Sequence, residues 1–186
     1  MRKLIKKIKR RLFYRTLIQR YNALNTAVIE EQKGTPNEAK TVALLCDITA
    51  LENRKIIEIF ANKLQKEGKK VTILGFFNEK TQNEAWVSHS FNKKNVSWKD
   101  IPSGGEVQRF LEEKFDLLYH CSINECLPLE WIAALTKARF KIGPAIHDWL
   151  YCDLTVGAKF KNLNHFIEQA AFHAAKITKN NALSAV

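Results

Sequence analysis

Acidic side chains are missing from the first 24 residues, a stretch that holds five Arg and four Lys. A segment of one charge sign does not pair with itself. Its partner must be an acidic surface, on this chain or elsewhere. No apolar run approaches the roughly 20 residues of a membrane-spanning helix, which excludes an expected span. Seven Gly and four Pro in 186 residues are too few for a collagenous or low-complexity chain. The four cysteines, Cys46, Cys121, Cys126 and Cys152, include no C-x-x-C pair, so neither a zinc knuckle nor a dithiol redox motif is expected. No G-x-G-x-x-G follows the first strand-like run and no G-x-x-x-x-G-K-[ST] occurs, so no cofactor is expected either. The amino-terminal segment lacks the uninterrupted apolar core of a secretory signal. With its thiols read as reduced, the chain is expected in the cytoplasm, peripheral on the inner membrane face if its basic arm attaches there.

What is present is an ordinary globular composition, 46% hydrophobic and 26% charged, long enough to bury a core without disulfides or metal. Nine of the net eleven positive charges sit in the first 24 residues, leaving the remainder nearly neutral. Residues 115–143, FDLLYHCSINECLPLEWIAALTKARFKIG, read as strand, loop, helix, strand. Leu117, Leu118 and Tyr119 are apolar without alternation, as suits a strand covered on both faces. Pro128 fits the first turn of a helix. An earlier unit has a strand over 41–46, a helix over 52–66 closed by Gly68, and a strand over 71–77. Residues 78–101 show no clear period and leave room for one or two short edge strands. A short helix over 106–114, a strand over 151–156 and a closing helix over 163–177 complete the pattern. Alternating strands and helices predict a three-layer, Rossmann-like open α/β sheet, mostly parallel. The expected organisation is a basic amphipathic helical arm (1–29), a linker (30–40), a single α/β domain (41–178) and a frayed tail (179–186).

The arm carries two apolar stripes out of phase. Leu4, Ile5, Ile8 and Leu12 share one face, with Lys3, Lys6, Lys7, Lys9, Arg10 and Arg11 around it. Phe13, Leu17, Tyr21 and Leu24 share another. The second stripe is expected to dock on the domain, whether the helix is continuous or breaks near residue 12. The first, residues 1–12, is left for an anionic membrane surface or an RNA or protein partner. The plain alternative is a helix packed on its own domain with its lysines solvated.

The domain resembles a family of small bacterial α/β proteins of unknown function. The resemblance lies in AKTVALLCD (39–47), GKKVTILGF (68–76), NVSW (95–98) with the following Pro102, FDLL (115–118), PLEWIAALTKARFKIG (128–143) and HFIEQ (165–169). It implies fold and no activity. Where that pattern carries an acidic residue two places after FDLL, this chain has His120. Residues 115–143 alone are also similar to the amino-terminal Rossmann-like half of heptosyltransferase-type glycosyltransferases, which need two such halves to enclose a sugar nucleotide.

Ligands of open α/β sheets bind beyond the carboxyl ends of the strands, where strand order reverses. The candidates there are Asp47, Thr49, Asn78, Ser122, Asn124 and Glu125, against the simpler roles of helix caps and turn residues. His120 and Cys121 are adjacent, so a strand points them to opposite faces and no dyad is expected. His147 and Asp148 read as turn residues, His165 and His173 as packing or surface residues. Trp86, Trp98, Trp131 and Trp149 are expected in the core or at a sheet edge. The reading favoured is a non-catalytic module placed by its basic helix. The rivals are a nucleotide or nucleotide-sugar binding protein, transferase-like, at the strand ends, and a subunit of a larger protein or ribonucleoprotein assembly.

Overall fold

A computed structural model describes residues 2–27, 34–80, 89–145, 151–157 and 159–177. Helix α1 (Arg2–Ala27) leads into a 3₁₀ turn at Pro36–Glu38. Then follow β1 (Thr41–Asp47), α2 (Leu51–Lys66), β2 (Lys70–Phe77) and β3 (His89–Asn92), the last in the region without a clear sequence period. The chain continues through α3 (Gly105–Glu112), β4 (Lys114–Cys121), α4 (Leu127–Leu135), β5 (Lys137–Pro144), β6 (Leu154–Val156) and α5 (Leu163–Ala175). Among the described residues the sheet has six strands in the order β3-β2-β1-β4-β5-β6, every pairing parallel. The order runs outward one way from β1 and the other way from β4. Right-handed crossovers therefore put α2 on one face and α3 and α4 on the other.

Two core layers result. Val42, Leu44 and Cys46 of β1 join Leu117, Tyr119 and Cys121 of β4 beneath α2 and α5. Ala43, Leu45, Leu74, Phe115 and Leu118 face α1, α3 and α4. This is why the apolar runs do not alternate: both faces of these strands are dry. The Asp of the FDLL motif has a structural task at the opposite end of the sheet from the strand carboxyl ends. The Asp116 carboxylate accepts from the Lys40 and Thr41 amides at 2.9 Å each and from the Thr41 hydroxyl at 3.0 Å, clamping β4 to the start of β1. Residues 34–40 are fastened too, since Asn37 Nδ2 donates to the carbonyls of Ala175 and Ile177 at 3.1 Å.

Helix α1 is continuous. Its second half docks as its period predicts: Phe13 and Leu17 are buried, and Tyr14, Tyr21 and Leu24 pack around them. The Phe13 ring lies 5.8 Å from that of Trp131 on α4, and the Arg20 guanidinium sits 5.7 Å over the same indole. With α1 on its outer side, α4 is buried all round, from Pro128 to Leu135.

Candidate functional site

The crevice where strand order reverses lies between the loops following β1 and β4. The β1 side of it is filled. Ile48 is fully buried. Arg54 donates from Nε to the Ile48 carbonyl (2.7 Å) and from Nη2 to the Thr49 carbonyl (3.1 Å), with its guanidinium 4.9 Å over the Phe77 ring. Asp47 Oδ1 accepts from the Thr49 amide at 2.9 Å, and the Thr49 hydroxyl accepts from the Asn78 amide at 2.9 Å. Gly75 on β2 is needed here, because a Cβ at that position would overlap the Ile48 side chain. On the β4 side, Ser122 is buried and donates to the Asn124 carbonyl at 2.9 Å, while Asn124 itself is exposed. These contacts tie loops to loops.

The open space lies beside this crevice. A cleft of about 540 Å³ runs from the end of β2 (Phe76, Asn78) past Lys93, Val96 and Asp100 to Glu125, Cys126, Leu127 and Pro128 at the start of α4. Its remaining wall is α1, through Ile5, Lys6, Lys9 and Arg10. Of the six strand-end candidates, Asn78 and Glu125 line it; Asp47, Thr49, Ser122 and Asn124 do not. Two of the arm's cations turn inward. Lys9 Nζ is 2.8 Å from Asp100 Oδ1, and Arg10 Nη2 is 2.9 Å from Glu125 Oε1. Both pairs are partly exposed and each contributes about 0.5 kcal/mol. Their main effect is to fix where the first half of α1 lies.

Beneath that helix is a carboxyl group with an unusual environment. Glu130 is 3% exposed, and its Oε2 lies 3.3 Å from the Tyr14 hydroxyl. Burial first, then the neighbouring Glu125, raises its pKa from 4.5 to about 7, against the Tyr14 hydrogen bond and the Arg10 charge. The folded protein therefore keeps a proton that the unfolded chain loses above its ordinary carboxyl range. Stability is expected to fall as pH rises from about 4.5 to about 7 and to level off above. The loss is on the order of 3 kcal/mol. Glu130→Gln keeps the shape and the bond to Tyr14. Urea midpoints across this pH range should fall for the wild type and lack that component in the variant; parallel curves would refute the assignment.

The remaining buried ionisable groups are held in their neutral forms or capped. Burial pushes His120 down to about 4; its Nδ1 lies 3.4 Å from the Tyr151 hydroxyl. His120 faces the α4 layer and Cys121 the α5 layer, so adjacency makes no dyad. Burial raises the Cys126 and Cys152 thiols to about 12, far from thiolate chemistry at neutral pH. Lys141 is lowered to about 8 by burial and donates to the Ala134 carbonyl at 2.9 Å, capping the end of α4. No group of three or more His, Cys, Asp or Glu among the described residues is placed to hold a metal ion. His147, Asp148, Trp86 and Trp149 lie outside the described residues.

The other side of α1 faces solvent. Leu4 is 63% exposed, Ile5 57%, Ile8 50% and Ile18 51%. Lys3, Lys7, Arg11 and Arg15 are exposed with them, while Ile5 and Lys6, also exposed, border the cleft. Spacings of three and four residues place Leu4, Ile8, Arg11, Arg15 and Ile18 on one face, away from Phe13 and Leu17. Sequence reasoning put Arg15 on this face but missed Ile18, because it ended the apolar stripe at Leu12, which is half-buried. It also missed Glu130, whose signal was a lone acid in an otherwise apolar helix. Trp98, expected to pack, is 64% exposed, although Val96 and Ile101 on either side of it pack onto the core.

The structure is thus an all-parallel, doubly wound α/β protein with a basic helix laid across one helical layer and a cleft beneath that helix at the strand ends. The chain belongs to a family of unknown function, DUF6913, whose model matches residues 14–172. That match begins within α1, so it takes in the docking half of the helix from Tyr14 on and leaves residues 1–13, Phe13 among them, outside. No curated protein and no solved structure matches the chain, and the likeness to glycosyltransferases finds no counterpart there. No helix among the described residues is long and apolar enough to cross a membrane.

Proposed function

We propose that the protein is an attachment module whose amino-terminal helix holds the α/β domain against an anionic membrane surface. The observation that carries this reading is the solvent face of α1. Three large aliphatic side chains in its first eight residues are half or more exposed, among five exposed cations, on a helix without an acidic residue. A helix serving only its own domain has no use for such a face. Nucleic acid would use the cations but not Leu4, Ile5 and Ile8. Five cations near anionic lipid contribute about 5 kcal/mol together. Two or three partly buried aliphatics add about 1 kcal/mol each. The sum gives reversible attachment, with Lys3, Lys6, Lys7, Arg11 and Arg15 at the lipid phosphates.

Lys9 and Arg10 belong in this reading to the helix–domain joint, where Asp100 and Glu125 take them. Flotation of the full chain on anionic and neutral vesicles tests the proposal. Attachment is expected only to anionic vesicles, weakening with added salt while thermal stability stays nearly constant. Equal flotation on neutral lipid, or none on either, would overturn it.

The cleft favours a second reading, a small-molecule site at the strand ends. Its volume falls within the range of ligand pockets. Under this reading nucleotides or nucleotide sugars raise the melting temperature, and Lys93→Ala removes the shift. A flat response across such a panel removes its support.

A further inference from the structure

Of the two described tryptophans, Trp131 is 2% exposed and Trp98 is 64% exposed. Trp98 does not owe its exposure to an unanchored loop. Val96 and Pro102 form an antiparallel bridge. The Ser97 amide donates to the Ile101 carbonyl at 2.9 Å, the Asp100 amide to the Ser97 carbonyl at 3.0 Å, and the Ser103 amide to the Asn95 carbonyl at 2.8 Å. Val96 and Ile101 pack onto the core layer under α1. Asp100 takes a positive φ of 61°, a conformation that suits few residues other than Gly, Asn and Asp. The result is a stapled turn with an indole at its tip.

The position of the turn is fixed by Asp100, whose carboxylate holds Lys9 of α1. This sets the turn alongside the stretch of α1 where Ile5 and Ile8 are exposed. Several cations lie close to it. Lys93 and Lys94 are exposed on the preceding 3₁₀ turn, Lys99 Nζ lies 5.5 Å over the Trp98 ring, and Asp100 is taken up by Lys9. The cleft opens between the two elements, bordered by Ile5, Lys6 and Lys9 on one side and Lys93, Val96 and Asp100 on the other.

We propose that the turn at residues 97–100 is a second lipid contact, with Trp98 seated at the headgroup level of an anionic membrane and held in register with α1 by the Lys9–Asp100 pair. This inference rests on the reading of α1 as a lipid-facing helix. Indole rings favour the membrane interface because one ring presents both an apolar body and an N–H donor. Lysines 93, 94 and 99 supply the accompanying charge for lipid phosphates. A nucleic-acid base would also stack on an exposed indole, but the aliphatic side chains of α1 beside it suit lipid. Two contacts rather than one define an orientation: the strand carboxyl ends, with the cleft between the contacts, turn toward the membrane.

The test uses the full chain with wild-type sequence, Trp98→Ala, and the double variant Leu4→Glu/Ile8→Glu. The vesicles contain phosphatidylglycerol and phosphatidylcholine in equal parts, with and without bromine-labelled acyl chains. Trp98 is exposed, so its replacement leaves the fold intact. Partition of Trp98→Ala is expected to weaken by about fivefold to tenfold. Bromine quenching of tryptophan emission, present in the wild type, should be clearly weaker in Trp98→Ala even at lipid concentrations that bind it. If Trp98→Ala binds and is quenched like the wild type while the double variant is released, the turn is not a contact and the α1 reading stands alone. If the wild type ignores vesicles, whether or not it is retained on RNA, both readings fall.

Discussion

Exchange of Leu4 and Ile8 together for glutamate is expected to release the protein from anionic vesicles while leaving the domain as stable as before. The two side chains are 63% and 50% exposed, so the domain does not depend on them. Glutamate is a good helix former, so α1 should persist. On the membrane the losses add. Each exchange removes about 1 kcal/mol of apolar burial and adds about 1 kcal/mol of repulsion from anionic lipid. The total of about 4 kcal/mol corresponds to close to a thousandfold drop in partition. Flotation should show it directly, with circular dichroism and urea unfolding as controls for fold. A double variant that still floats at low lipid would place the contact elsewhere. Removal of residues 1–24 is a poorer experiment, because it also strips Phe13 and Leu17 from the core and confounds release with unfolding.

Phe13→Ala is expected to do the opposite. It should cost about 3 kcal/mol of stability and leave the lipid-facing side chains in place. Phe13 is fully buried, against Trp131 and beside the partly buried Tyr14 and the buried Leu17. Its loss opens a cavity between α1 and α4. It also wets the outer side of α4, where Glu130 lies beneath Tyr14. Hydrogen exchange should then show α1 amides losing protection before those of β1 and β4, since α1 is joined to the domain on one side only. The urea midpoint should fall, and attachment to anionic vesicles should survive. A change below about 0.5 kcal/mol, the range of ordinary surface substitutions, would mean that α1 is not docked in solution. Together the two variants separate the faces of one helix, the first abolishing attachment without loss of stability and the second the reverse.

Much of the architecture was legible because it depends on near neighbours and period. The unbroken apolar runs at 42–46 and 117–119 require cover on both faces, which led to a parallel sheet between helical layers. The stripe of Phe13, Leu17, Tyr21 and Leu24 fixed the docking face of α1, since helical phase is a property of spacing alone. Pro128 marked the start of α4, and Gly68 the end of α2. Family resemblance covered the same domain and added no chemistry.

The candidate site was legible only in part. The rule that ligands lie beyond strand ends pointed to Asn78 and Glu125, and both line the cleft. It could not say that Ile48 and Arg54 fill the space at the end of β1, because that depends on how far two side chains reach across a folded loop. Nor could periodicity assign partners to Lys9 and Arg10. Their acids lie 91 and 115 residues away in sequence and meet them only once the sheet is assembled. Glu130 has its raised pKa because α1 covers it, and Trp98 is exposed because it sits at the tip of a stapled turn whose flanking residues, Val96 and Ile101, face the core. By itself, then, the sequence determined the elements, their faces and the layering, all governed by local spacing and the burial of apolar area. Strand order, the filling of one crevice and the opening of another, and the choice of which cations face inward were decided by tertiary structure alone, because each depends on distances between groups that chain order does not encode.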